Sequence, residues 1–251
     1  MGYTVVAVLI MFFSAIAIFS VIGVGRMVGK GRPHKQGLDI TEGAIFTLMA
    51  LLVAFTFSNA HQRFDSRRLV IVDEANAIST AFLRLDVLRD QDKIILKKDF
   101  KDYIDARIAI YQSVPDMKKV ANEILKSRII QTRLWKNAVA AVVNTQSSSA
   151  PILVLPAINS MFDIATTRMA YSIMHPPLAI FLLLIIVVIL SAFLTGYGME
   201  GRRGWGALHI IAFAIITAIT IYVIIDLEYP RLGVIQEGSF DVMLQDVRDS
   251  M

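Results

Sequence analysis

Asn59, Arg63 and Arg67 recur at every fourth residue, a spacing that brings side chains together on a helix. Asp65, Asp73 and Glu74 put opposite charge close by in the chain. Two kinds of chemistry fit this arrangement. If several copies of the helix surround an axis, the guanidinium groups make a basic ring that draws anions to a pore mouth. If they do not, the same arginines snorkel out of an apolar layer and pair with carboxylates of their own or a neighbouring chain. Phe57 is a candidate constriction, since an apolar ring followed by polar side chains can gate by dewetting; a Phe facing lipid or core is the competing reading. Glu74 and Asn76 are candidates for polar contacts between neighbouring copies.

No other chemistry is signalled. There is no Cys, and His34, His61, His175 and His209 lie far apart without metal-ligand spacing. No Gly-rich phosphate loop, nucleophile elbow or paired acid and base is present. An enzyme, a cofactor and a metal site are therefore not expected. The net charge of +4 is ordinary beside lipid headgroups, and no nucleic-acid partner is inferred from it. "GVGRMVGKG" reads as a basic turn, in which Gly25 and Gly29 allow close approach of helices.

These residues need elements to position them. The chain has 251 residues, 55% apolar and only 18% charged, against about 25% charged in soluble domains. Four stretches lack Asp, Glu, Lys and Arg: residues 2–25, 43–60, 169–199 and 204–225. Each is at or near the length of about 20 residues that crosses a bilayer as a helix. The expected fold is an all-α integral membrane protein: four transmembrane helices, with a helical extramembrane insert between spans two and three. Residues 1–60 hold the first two spans (about 3–25 and 43–60) and a basic loop at 26–42. Residues 61–170 form the insert, 171–227 the last two spans (about 174–197 and 206–226), and 228–251 an amphipathic tail. The first run has no positive n-region and is long for a signal peptide, so it reads as an uncleaved anchor. No ionised residue falls at a span centre, which argues against a proton-coupled transporter.

Residues 61–168 carry 17 Lys/Arg against 12 Asp/Glu and no Gly, a composition for helices rather than sheet. Phe64, Ile71, Ala75, Ile78, Phe82 and Leu85 make one apolar stripe, with Gln62, Ser66, Asp73, Asn76, Thr80 and Arg84 on another face. One long helix is expected from Ala44 to Leu88, entered through Asp39 as N-cap with Glu42 three residues on. Amphipathic helices follow at 90–114 and 116–144, and a fourth from about Leu153, bent or restarted at Pro156 and at Pro176–Pro177. After the last span, Asp226, Glu228, Pro230 and Gly233 form a turn motif, and the tail packs on the stalk through Phe240, Met243, Leu244 and Val247. Tyr171, Tyr197, Trp205 and Tyr229 fall where an interfacial aromatic belt belongs.

The first span is followed by Arg26, Lys30, Arg32 and Lys35 and preceded by no basic residue. This favours a multi-pass plasma-membrane protein with its N-terminus and helical insert outside.

"VDEANAISTAFLRLDVL" and "DLEYPRLG" resemble the bestrophin-like family of small bacterial membrane proteins, in residues and in the layout of paired spans around a helical insert. "SNAHQRF" with Arg67 is more distantly similar to the second-span exit of bestrophin channels, which are pentameric and anion-conducting. The resemblance implies a homo-oligomer in the lipid bilayer, a pentamer if it extends that far, conducting inorganic ions with anions preferred. It makes span two the pore liner. The competing reading is a non-conducting scaffold or sensor whose helical domain binds a protein partner or an envelope component.

Overall fold

The computed structural model describes residues 2–30, 38–145, 147–198, 206–231, 233–236 and 238–251. The N-cap expected at Asp39 concerns a side chain outside that description, as do Arg32, Lys35, Arg202, Arg203 and Trp205 of the two short loops. The described residues form eight α-helices and no strand. The helices are α1 (Gly2–Gly29), α2 (Leu38–Leu83), α3 (Asp90–Gln112), α4 (Met117–Asn144), α5 (Ala150–Ile173), α6 (Leu178–Tyr197), α7 (Gly206–Glu228) and α8 (Gly238–Asp249). A single 3-10 turn, Arg84–Val87, follows α2. Among the described residues four helical stretches are long and apolar enough to cross a membrane; they include α1, the first part of α2, α6 and α7. The protein is an all-α membrane protein of the expected kind.

The chain divides into two compact units. Unit 1 comprises Met1–Phe64 and His175–Ile235; unit 2 comprises Asp65–Met174 and Gln236–Met251. The long helix α2 contributes to both. The tail expected as one piece from 228 is thus divided, its first residues belonging to unit 1 and α8 to unit 2.

In unit 1 the backbones of α1 and α6 approach closely. A Cβ on Gly25 would overlap the backbone of Phe193, and one on Gly196 would overlap the Ile22 carbonyl. Small residues at such crossings let dispersion act over whole turns where the hydrophobic effect offers little. Ile18, Ile22, Leu184, Val188, Ala214 and Ala218 fill the core around them.

In unit 2 the apolar stripe of α2 is buried as its spacing requires: Ile71, Ala75 and Ile78 are at most 2% exposed, and Leu85 of the 3-10 turn continues the stripe fully buried. It packs with Leu96, Phe100 and Ile104 of α3, Leu134 and Ala138 of α4, and Ile158 and Met161 of α5. Asp116 starts α4, its carboxylate accepting from the backbone N–H groups of Lys118 and Lys119 at 3.1 Å each. On α8, Leu244 is fully buried and Met243 and Val247 pack against the same core, as the tail's pattern predicts. The ring of Phe240 lies 4.3 Å beneath the Arg68 guanidinium.

The prolines behave differently from one another. α5 runs through Pro156, which lies inside the helix, whereas Pro176 and Pro177 separate α5 from α6. Adjacent prolines remove two successive N–H donors, and each biases the preceding residue away from helix.

Candidate functional site

Four residues along an α-helix rotate a side chain by about 40° beyond a full turn. Asn59, Arg63 and Arg67 therefore spread over an arc of about 80° of α2, which runs from its exposed side toward the interior. Asn59 is exposed, the Arg63 side chain is 27% exposed, and Arg67 is 6% exposed. Phe57 is exposed and stacks on His61. It stands about 160° around the helix from Asn59, so the two do not share an edge. Glu74 and Asn76 are separated in the same way: Glu74 is fully buried and Asn76 exposed.

Arg63 is one arm of a cluster in unit 1. Its Nε and Nη2 each lie 2.9 Å from Oε2 of Glu228, whose Oε1 is 3.1 Å from His175 Nδ1. Glu228 is fully buried at the last position of α7. A carboxylate there faces the negative end of the helix dipole, and the guanidinium offsets that repulsion. His175 stacks on Tyr229 with ring centres 4.6 Å apart. Two residues before Glu228, the Asp226 carboxylate accepts from the backbone N–H groups of Val234 (3.1 Å) and Ile235 (2.9 Å), folding the chain back after α7. Gly233 leaves room for that carboxylate, which any Cβ would strike, and Pro230 is buried in the same turn. The motif at the end of α7 thus has two tasks: Asp226 with Gly233 holds the turn, and Glu228 receives Arg63 and His175. Beside the cluster, Leu52, Phe55 and Thr56 of α2 face Ile180 and Leu184 of α6 across a groove of about 220 Å³, with Asn59 and Arg63 also in its lining.

Unit 2 holds a more deeply buried cluster. Glu74 accepts from Arg107 Nε at 2.6 Å on one oxygen and from Arg168 Nη1 at 2.7 Å on the other. Arg168 Nη2 donates to Asp241 of α8 at 2.5 Å, and its guanidinium lies 3.6 Å over the Tyr111 ring. Arg107 Nη2 donates to the Tyr111 hydroxyl at 3.0 Å. Two cations meet two anions, so the cluster carries no net charge into the core. Burial pushes the Glu74 carboxyl up, but the Arg107 and Arg168 guanidinium groups outweigh it and hold the carboxyl below its ordinary value. Burial works against the charge on Arg107 as well, and Glu74 more than offsets it, raising Arg107 above the usual arginine range. These groups keep their charges fixed. They brace helices.

Arg67 belongs to unit 2 and serves a helix end. Its Nε and Nη2 donate to the Tyr171 carbonyl (3.2 Å) and the Met174 carbonyl (3.1 Å) where α5 finishes. A cation suits that end of the dipole and satisfies carbonyls left without partners.

Glu74, expected between neighbouring copies, is thus engaged on both oxygens inside its own chain, while Asn76 remains on the surface. Arg107, Arg168, Tyr111 and Asp241 were not singled out from sequence. One signal was available: Glu74 falls between Ile71 and Ile78 on the apolar stripe of α2, and a carboxylate there requires buried cations.

A family model described as a bestrophin-like domain matches residues 6–236. No curated protein matches the sequence. Among solved structures, a variant of a bacterial bestrophin homologue from Klebsiella pneumoniae superposes with a TM-score of 0.74 at 12% identity, over 97% of this chain and 98% of that one. Another structure of that homologue gives 0.72 at 12% identity, over 95% and 98%. A crystal structure described only as a membrane protein gives 0.73 at 12% identity, over 95% and 98%. At such identity the structural likeness concerns the fold.

Proposed function

The chain belongs to the bestrophin-like family, and from that premise we propose that it is a homo-oligomeric ion channel of a bacterial inner membrane with α2 as its pore-lining helix. The observation that carries this reading is the surface of α2. Only 6% of its most apolar window is buried, against 17%, 28% and 33% for the other three spans. On the uncovered face Phe55 is followed by Ser58, Asn59 and Gln62. Polar side chains at the end of a span are poorly suited to lipid and well suited to neighbouring copies around water. In this reading Phe55 narrows the path and Asn59 stands near its mouth, while Phe57, about 160° around the helix from Asn59, faces away from it. Arg63 and Arg67 act from behind the path, by holding α2 to Glu228 and to the end of α5. Anion preference follows from the likeness to bestrophin channels and from the 17 basic against 12 acidic residues of residues 61–168. A pentamer follows if the likeness extends to assembly.

Reversal potentials across planar bilayers test this. Asn59→Asp and Gln62→Glu are expected to shift selectivity toward cations without changing oligomer mass. Arg63→Glu sets two carboxylates together at Glu228 and is expected to weaken the fold instead. Selectivity that follows Arg63 while Asn59 is inert would place the guanidinium, not the amide, on the path. Cryo-EM in nanodiscs supplies the geometry: a ring with α2 around a continuous opening is expected, and a dimer without a central path would end the proposal.

A non-conducting scaffold is the second reading. It is favoured by two exposed apolar pairs on α4 of unit 2, Leu125 with Ile129 and Val139 with Val143, each at a spacing of four that brings the side chains together. In that case a partner co-elutes in mild detergent and liposome flux equals that of empty vesicles. The N-terminus and insert are proposed to lie outside, from the basic residues that follow α1. The chain has no Cys, so single cysteines introduced at Lys126 and at Lys30, in the basic loop after α1, report orientation directly by impermeant labelling of intact cells, with Lys126 expected to react and Lys30 not.

A further inference from the structure

Unit 2 contains a groove of about 210 Å³ between α2 and α5 that neither ion cluster uses. Ala77, Thr80 and Arg84 line one side, Pro156, Ala157 and Ser160 the other. Every polar side chain in that lining is a hydrogen-bond donor, and none is a carboxylate. Arg84 Nη1 donates to the Leu153 carbonyl at 2.9 Å, which fixes the guanidinium at the groove while using one of its five N–H groups. Thr80 and Ser160 are both exposed on their helices and bring freely turning hydroxyl donors. A fixed guanidinium beside two hydroxyl groups, walled by Ala and Pro, matches a small monovalent anion in charge and in hydrogen-bonding sense.

We infer that this groove is a binding site for a small monovalent anion, a halide or a group of similar size, held by Arg84, Thr80 and Ser160. The site belongs to one protomer and needs no neighbour. Thr80 lies on the same uncovered row of α2 as Leu69, Asp73 and Asn76. If α2 lines a conducting path, the groove is a station where anions gather beside it; that placement rests on the channel reading, and the binding does not.

The test is anomalous diffraction from crystals of the full-length protein grown in bromide. A bromide peak beside Arg84 is expected in the wild type. It should be lost in Arg84→Gln and in Ser160→Asp, the second of which fills the groove with negative charge. Thr80→Val should lower its occupancy. Absence of the peak, with bromide found elsewhere on the protein, would overturn the assignment. So would a peak that survives both charge-changing variants, which would mark an adventitious ion only. Should Arg84→Gln fail to fold, Ser160→Asp decides the matter alone, since its side chain is exposed. Liposome flux separates the two proposals: a bromide peak without flux keeps the site and removes the channel, and flux without the peak does the reverse.

Discussion

Each unit holds one arginine–carboxylate cluster anchored on α2, and the two are built for different surroundings. In unit 1 a single buried carboxylate, Glu228, is met by an arginine and a histidine whose side chains are 27% and 32% exposed. In unit 2 Glu74, Arg107 and Arg168 are all at most 4% exposed, and only Asp241 reaches water. The first is a clasp at the edge of the apolar layer, whose cation can turn to solvent or headgroups if released. The second is a closed circuit, in which any missing member strands a charge where nothing else can solvate it. Position on the same helix decides little. The cost of breaking each cluster is set by how much water can return.

That contrast can be broken, beginning with the largest effect. Glu74→Ala leaves two buried guanidinium groups facing each other and is expected to destabilise unit 2 by about 3–5 kcal/mol, read as a lower denaturation midpoint of the purified protein. A loss below about 1 kcal/mol would mean that water already enters the circuit. Glu228→Gln keeps the shape and removes the charge, with an expected cost of about 1–3 kcal/mol in the same measurement. If it proves as costly as Glu74→Ala, the clasp is no more open than the circuit. Phe240→Ala removes the ring beneath Arg68 and should cost about 0.5–1 kcal/mol, detected as earlier proteolysis of α8.

The smallest expected response is to mild acid. The Glu74 carboxyl titrates below its ordinary value of 4.5 in the folded chain. Its contribution is therefore complete above the unfolded value and is lost only as pH falls through the lower, folded one. The stability difference between wild type and Glu74→Gln should stay flat from neutral pH down to about 5 and shrink below that. A slope already present above pH 5 would contradict the guanidinium pairing.

Element identity was largely legible, because it rests on local pattern. Charge-free runs gave the spans, the absence of glycine from 44 to 195 gave uninterrupted helices, and the stripe from Phe64 to Leu85 gave the buried face of α2. The clusters were legible only by one member each. Glu74 is 94 residues from Arg168, and Arg63 is 165 from Glu228; no local periodicity connects such pairs. Spacing alone did not reveal how deep Asn59, Arg63 and Arg67 each lie. A repeat of four is near enough to the helical period to look like one face, yet it accumulates about 80° over the two steps, enough to carry Arg67 from the surface into the interior. A row alternating three and four, such as Leu69, Asp73, Asn76 and Thr80, stays on one side, and it does stay exposed.

The closing link of the unit 2 circuit has a consequence for synthesis. Arg168 is translated 73 residues before its partner Asp241, and α6 and α7 lie between them. At roughly 5–20 residues per second, the ribosome takes several seconds to cover that distance, and two spans must be threaded into the bilayer meanwhile. Throughout that interval Arg168 has only Glu74 and Tyr111 to hold it. Because α8 follows both spans in the chain, Asp241 can reach Arg168 only after α6 and α7 have been translated.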